Sequence, residues 1–358
     1  ARSMTVRPFR VALSAGFRKA DGSMTYPSFD LSPLTDASGI ETRFLSHEDP
    51  IRAPELEDID ALILLSERFT KDSIPASGKL SVIARFGVGF DTVDVEACTQ
   101  NDIAVCITPD GVRRPVAVSI LTLMLALTGK LLIKDRITRQ GPDGFAKRDE
   151  QMGLGLVGRM LGSVGIGNIG AEMFRLAAPL GMKFIAHDPF ADPSLATELG
   201  VDLVDLDTVF AQSDVISVNC PLTPDTHHLV NTSRLSQMKP TAYLINTARG
   251  PIVDQVALTQ ALRNGSIAGA GLDVFEVEPP AADDPILTLD NVILTPHALC
   301  WTDQCFGGIG AADIASILDV SLGKLPVGLL NQEVSKRTNF SKKLPAKNPK
   351  IAPGKRNK

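Results

Sequence analysis

Met160-Leu161-Gly162-Ser163-Val164-Gly165-Ile166-Gly167-Asn168-Ile169-Gly170 is the stretch on which the fold turns. Its first half is a short apolar run of the kind that forms a buried strand. Glycines then fall at 165, 167 and 170, the spacing G-x-G-x-x-G, and a helical pattern runs from Ala171 to Leu180. A second strand, Lys183 to His187, ends at Asp188. In such a unit Gly165 permits the tight turn, Gly167 the approach of a pyrophosphate, and Gly170 the packing of helix on strand. The first helical turn offers unpaired N–H groups and a positive dipole end to the phosphates. Asp188 is placed to accept hydrogen bonds from ribose hydroxyls and to repel a 2′-phosphate, which favours NAD over NADP. A ligand-free glycine turn is the plain alternative, and the order strand, turn, helix, strand, acid argues against it.

Outward from this unit the same rhythm continues. Val215 to Val218, Ala242 to Ile245, Ala268 to Leu272 and Val292 to Leu294 read as further buried strands, spaced to leave room for one crossover helix each. Arg10 to Ser14, Ala61 to Leu65 and Val82 to Arg85 read as strands of a separate sheet. Pro109-Asp110-Gly111 suggests a turn before a long apolar helix over Val116 to Leu132, and Gly141-Pro142-Asp143-Gly144 a break after it. A helix through Ala311 to Leu322, stopped by Gly323, is expected to return to the first domain. Beyond Ser335 the chain is rich in Lys, Pro and Asn without apolar periodicity, and disorder is expected.

At 358 residues the chain exceeds the usual size of one core, so two domains are expected. Hydrophobic residues at 44% and charged residues at 22% exclude a mainly disordered or collagen-like chain. The net charge of -5 is uneven: residues 336–358 hold nine basic and no acidic groups, leaving 27 basic and 41 acidic groups elsewhere, net -14. An acidic body disfavours nucleic acid as a partner. Five cysteines with no C-x-x-C pair, and no apolar export segment after Ala1 to Arg10, point to a reducing cytoplasm. The most apolar run, Val116 to Leu127, falls short of the ~20 residues of a membrane span and reads as a buried helix.

Downstream of the fourth strand of the nucleotide unit stands Asn246-Thr247-Ala248-Arg249-Gly250. Functional side chains in open parallel sheets gather at the carboxyl ends of strands, and an arginine there can hold a carboxylate through two hydrogen bonds. Next come Asp273-Val274-Phe275-Glu276-Val277-Glu278-Pro279 and Thr295-Pro296-His297. Hydride exchange between an alcohol and a nicotinamide needs a group to take or give the hydroxyl proton, and histidine titrates in the right range. Glu278 is the candidate to orient it. Taken singly, Arg249 also fits a surface ion pair and His297 a turn residue.

The motifs in this order, together with Pro221-Leu222-Thr223 and Phe86-Gly87-Val88-Gly89-Phe90-Asp91, resemble the D-isomer-specific 2-hydroxyacid dehydrogenases from about Phe86 to Leu322. The resemblance implies two Rossmann-like doubly wound parallel-sheet α/β domains, the nucleotide domain inserted into the substrate domain, with the active site between them. The expected division is 1–110 for the first part of the substrate domain, 111–298 for the NAD-binding domain, 299–335 for the return, and 336–358 for the basic tail. It implies Arg249 on the substrate's carboxylate and keto oxygen, His297 as acid/base and Glu278 in support. It further implies the Val88 and Gly89 amides on the carboxylate, and Asn168 and Ile169 at the pyrophosphate. Asp188 falls at the ribose, and Cys220, Thr247 and Asp273 around the nicotinamide half. A homodimer is implied as well, with the long apolar helix in its interface.

Three departures bear on substrate choice. Val116-Ala117-Val118 lacks the acid the family often has at the third position, Asn219 stands where a histidine is frequent, and Ala298-Leu299-Cys300-Trp301 replaces Ile-Ala-Gly. Trp301 reads either as a pocket wall or as a packing residue. Arg113 and Arg114 read as surface partners or as contacts to a second anionic group. His227-His228, without further ligands at suitable spacing, reads as solvent-facing, and no metal is expected. The function expected is hydride transfer between NAD(H) and a D-2-hydroxyacid/2-keto acid pair. Two alternatives share the fold: oxidation of another small anion such as phosphite, and an NADH-sensing interaction protein.

Overall fold

Apolar runs buried on both faces must pair within a parallel sheet covered by helices, and the strands of this chain do so in two separate sheets. The computed structural model describes residues 7–345. Among the described residues the chain folds as two compact units, one falling within Ala1–Val112 and Thr302–Lys358, the other Arg113–Trp301. One unit is thus inserted in the other, with limits at Val112 and Trp301 where the sequence suggested 110 and 298.

The outer unit holds β1 (Phe9–Leu13), β2 (Ile40–Phe44), β3 (Ala61–Leu64), β4 (Val82–Arg85) and β5 (Ala104–Cys106), in the order β2-β1-β3-β4-β5 and all parallel. This is a doubly wound order. Two of these strands escaped the sequence reading for physical reasons. β2 is an edge strand, Ile-Glu-Thr-Arg-Phe, with only its first residue buried. β5 has three residues, too few for a pattern. Its edge is finished by the buried Asn331, which accepts the Val105 N–H (2.8 Å) and donates to Ile103 O (2.9 Å) and Thr99 Oγ1 (2.8 Å).

The expected disordered tail is corrected over its first part. Gln332–Lys336 and Thr338–Lys343 are helical, and Phe340 is fully buried. Arg337 pairs with Asp102 at 2.6 Å, and Lys343 Nζ donates to the carbonyls of Leu80, Asn101 and Asp102. One aromatic plug and an ammonium on three carbonyls dock a segment that has no apolar period. Residues 346–358, the rest of the expected tail, lie outside the described residues.

The inserted unit carries β6 (Met160–Val164), β7 (Lys183–His187), β8 (Val201–Leu203), β9 (Val215–Val218), β10 (Tyr243–Asn246), β11 (Gly269–Leu272) and β12 (Val292–Leu294). The order is β12-β11-β10-β9-β6-β7-β8, all parallel. Strand order reverses between β6 and β9, so the glycine stretch after β6 sits at the topological switch point. Ile216, Val218 and Leu244 face one core, and Leu161, Val215, Tyr243 and Ile245 face the other.

Pro109-Asp110-Gly111 is not a turn but the first turn of a helix, Pro109–Thr128. Proline fits there because its missing N–H has no intrahelical partner at that position. By length and composition this 20-residue helix is apolar enough to cross a membrane. Its Ala117, Ile120, Leu123, Met124 and Leu127 are instead buried with Leu161 and Tyr243, which makes it a core helix.

Candidate functional site

Each of the three glycines has its own geometric reason. Gly165 has φ +99°, and a Cβ there would stand 2.8 Å from Asn219 O. At Gly170 a Cβ would lie 2.6 Å from Gly165 O, so helix and turn touch through backbone. A Cβ at Gly167 would meet nothing within 4 Å among the described residues. That open face stands before the helix Asn168–Ala177, as a bound pyrophosphate requires. Ile169 packs its side chain on the core, while Asn168 is exposed and accepts from Arg113 Nη1 at 3.4 Å. Asn219, the residue found in place of a histidine, donates to Ser163 Oγ at 2.8 Å and so braces the turn.

Asp188 follows β7 directly. Its Oδ2 accepts the Ile166 N–H (2.9 Å) and its Oδ1 the Phe190 N–H (2.8 Å). The acid is therefore fastened to the glycine turn itself. Arg113 and Arg114 converge on Glu172, a buried acid on the helix after the fingerprint, with Arg114 at 2.6 Å. Although burial opposes it, the hydrogen bond from Arg114 leads the effects that hold this carboxyl below the usual range.

At the carboxyl ends of β9, β10 and β11 the remaining residues come together. Cys220 follows β9, its thiol pushed up to about 11 by burial, which makes it a weak nucleophile. Thr247 follows β10, and its buried Oγ1 has no hydrogen-bond partner among the described residues. An orphaned hydroxyl at this end of the sheet suits a polar group of the nicotinamide half. Together with the open face at Gly167, it makes these residues fit NAD. Asp273 has a task that the sequence did not reveal. Its Oδ1 accepts from Thr295 Oγ1 (2.7 Å) and from the N–H groups of Ala298 (3.1 Å) and Leu299 (3.2 Å), which fixes the loop around His297.

Arg249 is presented by a turn built on the buried Asn246, which donates to Arg249 O (2.9 Å) and accepts the Ala248 N–H (3.0 Å). His297 has φ +52°, uncommon for a residue with a side chain. Its Nδ1 lies 2.7 Å from Glu278 Oε2, and Glu278 Oε1 accepts the Phe275 N–H at 3.0 Å. Burial raises the Glu278 carboxyl, but the bonds from His297 and Phe275 and the charges of His297 and Arg249 outweigh it, leaving it below the usual glutamate range. With Nδ1 held by a carboxylate, Nε2 is the ring nitrogen left to exchange a proton.

Val88 and Gly89 belong to the other unit, in the turn after β4, where Gly87 N–H donates to Thr108 Oγ1 at 3.1 Å. Trp301 is half exposed at the limit of the inserted unit. The reading of His227-His228 as solvent-facing holds for His227 only. His228 pairs with Glu276 at 2.8 Å, a contact between residues far apart in sequence that no local motif announces.

A dinucleotide fold with these residues at its strand ends defines an NAD-dependent oxidoreductase. Residues 121–298 match the model of the D-isomer specific 2-hydroxyacid dehydrogenase NAD binding domain. Glyoxylate reductase of Korarchaeum cryptofilum is 38% identical over 283 residues, 78% of this chain and 85% of that protein. D-3-phosphoglycerate dehydrogenase of Archaeoglobus fulgidus is 37% identical over 284 residues, 79% of this chain but 53% of that protein, so the chain spans about half its length. The holo structure of D-mandelate dehydrogenase from Rhodotorula graminis superposes with a TM-score of 0.78 at 26% identity, over 91% of this chain and 99% of that one. The chain belongs to the D-isomer-specific 2-hydroxyacid dehydrogenase family.

Proposed function

We propose that the protein reduces a small 2-keto acid to its D-2-hydroxyacid, or glyoxylate to the achiral glycolate, with His297 as acid/base, Glu278 as its support and Arg249 on the substrate. The observation that carries this reading is the 2.7 Å contact of His297 Nδ1 with Glu278 Oε2 in a site where the charge of Arg249 bears on Glu278. Bound NADH would supply the hydride to the keto carbon. His297 would deliver its Nε2 proton to the keto oxygen as negative charge develops there, so the carbonyl gains one hydride and one proton. Glu278 would stabilise the imidazolium before that transfer and fix the ring afterwards. Arg249 would hold the substrate carboxylate and polarise the carbonyl beside it. Glyoxylate comes first among substrates because the relatives of comparable length include glyoxylate reductases.

The apolar side chains exposed along the inserted unit, Val118, Leu125, Leu131 and Leu132, support assembly as a homodimer. The five cysteines, Cys98, Cys106, Cys220, Cys300 and Cys305, none of them in a disulfide among the described residues, support a reducing, cytoplasmic setting. The test is NADH oxidation, followed by absorbance, with glyoxylate, hydroxypyruvate, pyruvate and phenylpyruvate. Turnover is expected with a small member of this panel. In Arg249→Ala, KM for the keto acid should rise about tenfold or more with kcat lowered. Silence across the panel from a protein that binds NADH, or wild-type constants in the variant, would overturn the reading.

A further inference from the structure

His228 lies apart from the fingerprint and from the His297–Glu278 pair, yet it touches the supports of both loops that carry the proposed chemistry. Its backbone N–H donates to Pro251 O at 2.9 Å. Val230 N–H donates to Ile252 O (3.0 Å), Asp254 N–H returns to Val230 O (2.9 Å), and Val230 and Val253 form a parallel bridge. The segment 228–230 is thus laced to the turn Gly250–Ile252, whose N-cap is Arg249. On its side-chain end, His228 Nε2 stands 2.8 Å from Glu276 Oε1 and Nδ1 3.9 Å from Asp254 Oδ2. Glu276 belongs to the loop that ends in Glu278. It is gripped from a second side by Gln255, whose N–H donates to Glu276 Oε1 (2.9 Å) and whose Oε1 accepts the Glu276 N–H (3.0 Å). The two loops also touch directly, because Gly250 packs against the Phe275 carbonyl so closely that no Cβ fits.

We propose that His228 is a positioning residue: its imidazole, set between Glu276 and Asp254, ties the turn that presents Arg249 to the loop that presents Glu278. The same three side chains, with ligand atoms within 4.8 Å of one another, also have the composition of a cation site. Geometry favours the tie. A metal takes the lone pair of one ring nitrogen, whereas here the two carboxylates lie against different ring nitrogens. Each carboxylate is also partly committed, Glu276 Oε1 to the Gln255 N–H and Asp254 Oδ1 to the Ala257 N–H at the start of the helix Gln255–Arg263. A bridge of this kind costs little to keep and much to lose, since a displacement of about 1 Å in a substrate-holding group can cost up to about a hundredfold in rate.

The inference rests on the roles proposed for Arg249 and Glu278, and its test separates the two. Hydrogen exchange is measured over residues 249–254 and 275–278 in the wild type, His228→Ala and His228→Gln, alongside steady-state kinetics and NADH affinity. In His228→Ala both segments should exchange faster, and kcat/KM for the keto acid should fall about tenfold or more, while the Kd for NADH stays within about twofold. His228→Gln, whose amide can still donate to Glu276, should regain most of the protection and the rate. Unchanged exchange in His228→Ala, failure of Gln to rescue, or stoichiometric Zn2+ binding by the wild type that His228→Ala abolishes would each overturn the proposal. If Arg249→Ala keeps wild-type kinetics, the functional reading fails, and the exchange data still decide whether the tie exists.

Discussion

At the scale of single residues the pair His297–Glu278 makes the most exacting demand. Its contact distance of 2.7 Å and the left-handed backbone of His297 place one ring nitrogen on a carboxylate. His297→Ala should therefore reduce turnover about 10²–10⁴-fold while NADH still binds, because only proton transfer is removed. Wild-type turnover would move the acid/base role elsewhere. Glu278 adds a pH signature. Its folded carboxyl lies below the ordinary glutamate value of 4.5. Its contribution to stability is thus complete above that value and disappears as pH falls through the depressed folded one. Thermal unfolding of wild type and Glu278→Gln should differ most near neutrality, and the difference should shrink as pH falls below 4.5. A difference that stays constant into acid would mean that the carboxylate charge does not stabilise the pair.

At the scale of elements the glycine turn lets two substitutions be set against each other. Gly167→Ala adds a methyl where nothing stands within 4 Å, at φ −74°, so the fold should keep its Tm while NADH affinity drops about tenfold or more. Gly170→Ala drives a methyl to 2.6 Å from Gly165 O, and the helix must shift, at a cost of about 1–3 kcal/mol in stability. Equal Tm losses in the two would refute the assignment of separate roles. The fingerprint was legible in sequence because a dinucleotide dictates its spacing, and Val82–Arg85, Lys183–His187 and Val215–Val218 were legible because strands covered on both faces are mostly apolar, with polar residues mainly at their ends. β2 and β8 were not, being edge strands with exposed residues. Nor was the Arg114–Glu172 pair, the brace from Asp273 to the loop of His297, or the His228–Glu276 contact. Each is made by side chains that only the folded sheet brings together, and none leaves a periodic trace along the chain.

At the scale of the whole molecule the apolar surface is unevenly spread. The helix Pro109–Thr128 buries Ala117, Ile120, Leu123, Met124 and Leu127, yet leaves Val118 and Leu125 about half exposed. Leu131, Leu132, Phe145 and Met152, further along the same inserted unit, are at least as exposed. Apolar side chains gathered in one stretch of a chain whose other surface is acidic mark an assembly face more readily than a solvated one. The helix thus serves its own core with one side and, on our reading, a second copy of the chain with the other. The double variant Leu125→Glu/Leu132→Glu places like charges in that face without touching a buried residue. Sedimentation should find a dimer for the wild type and a monomer for the variant, with NADH affinity retained, because Gly167, Asp188 and Thr247 lie elsewhere in the unit. A wild type that sediments as a monomer, or a variant that remains dimeric, would remove this face from the assembly and leave its exposed leucines without a role.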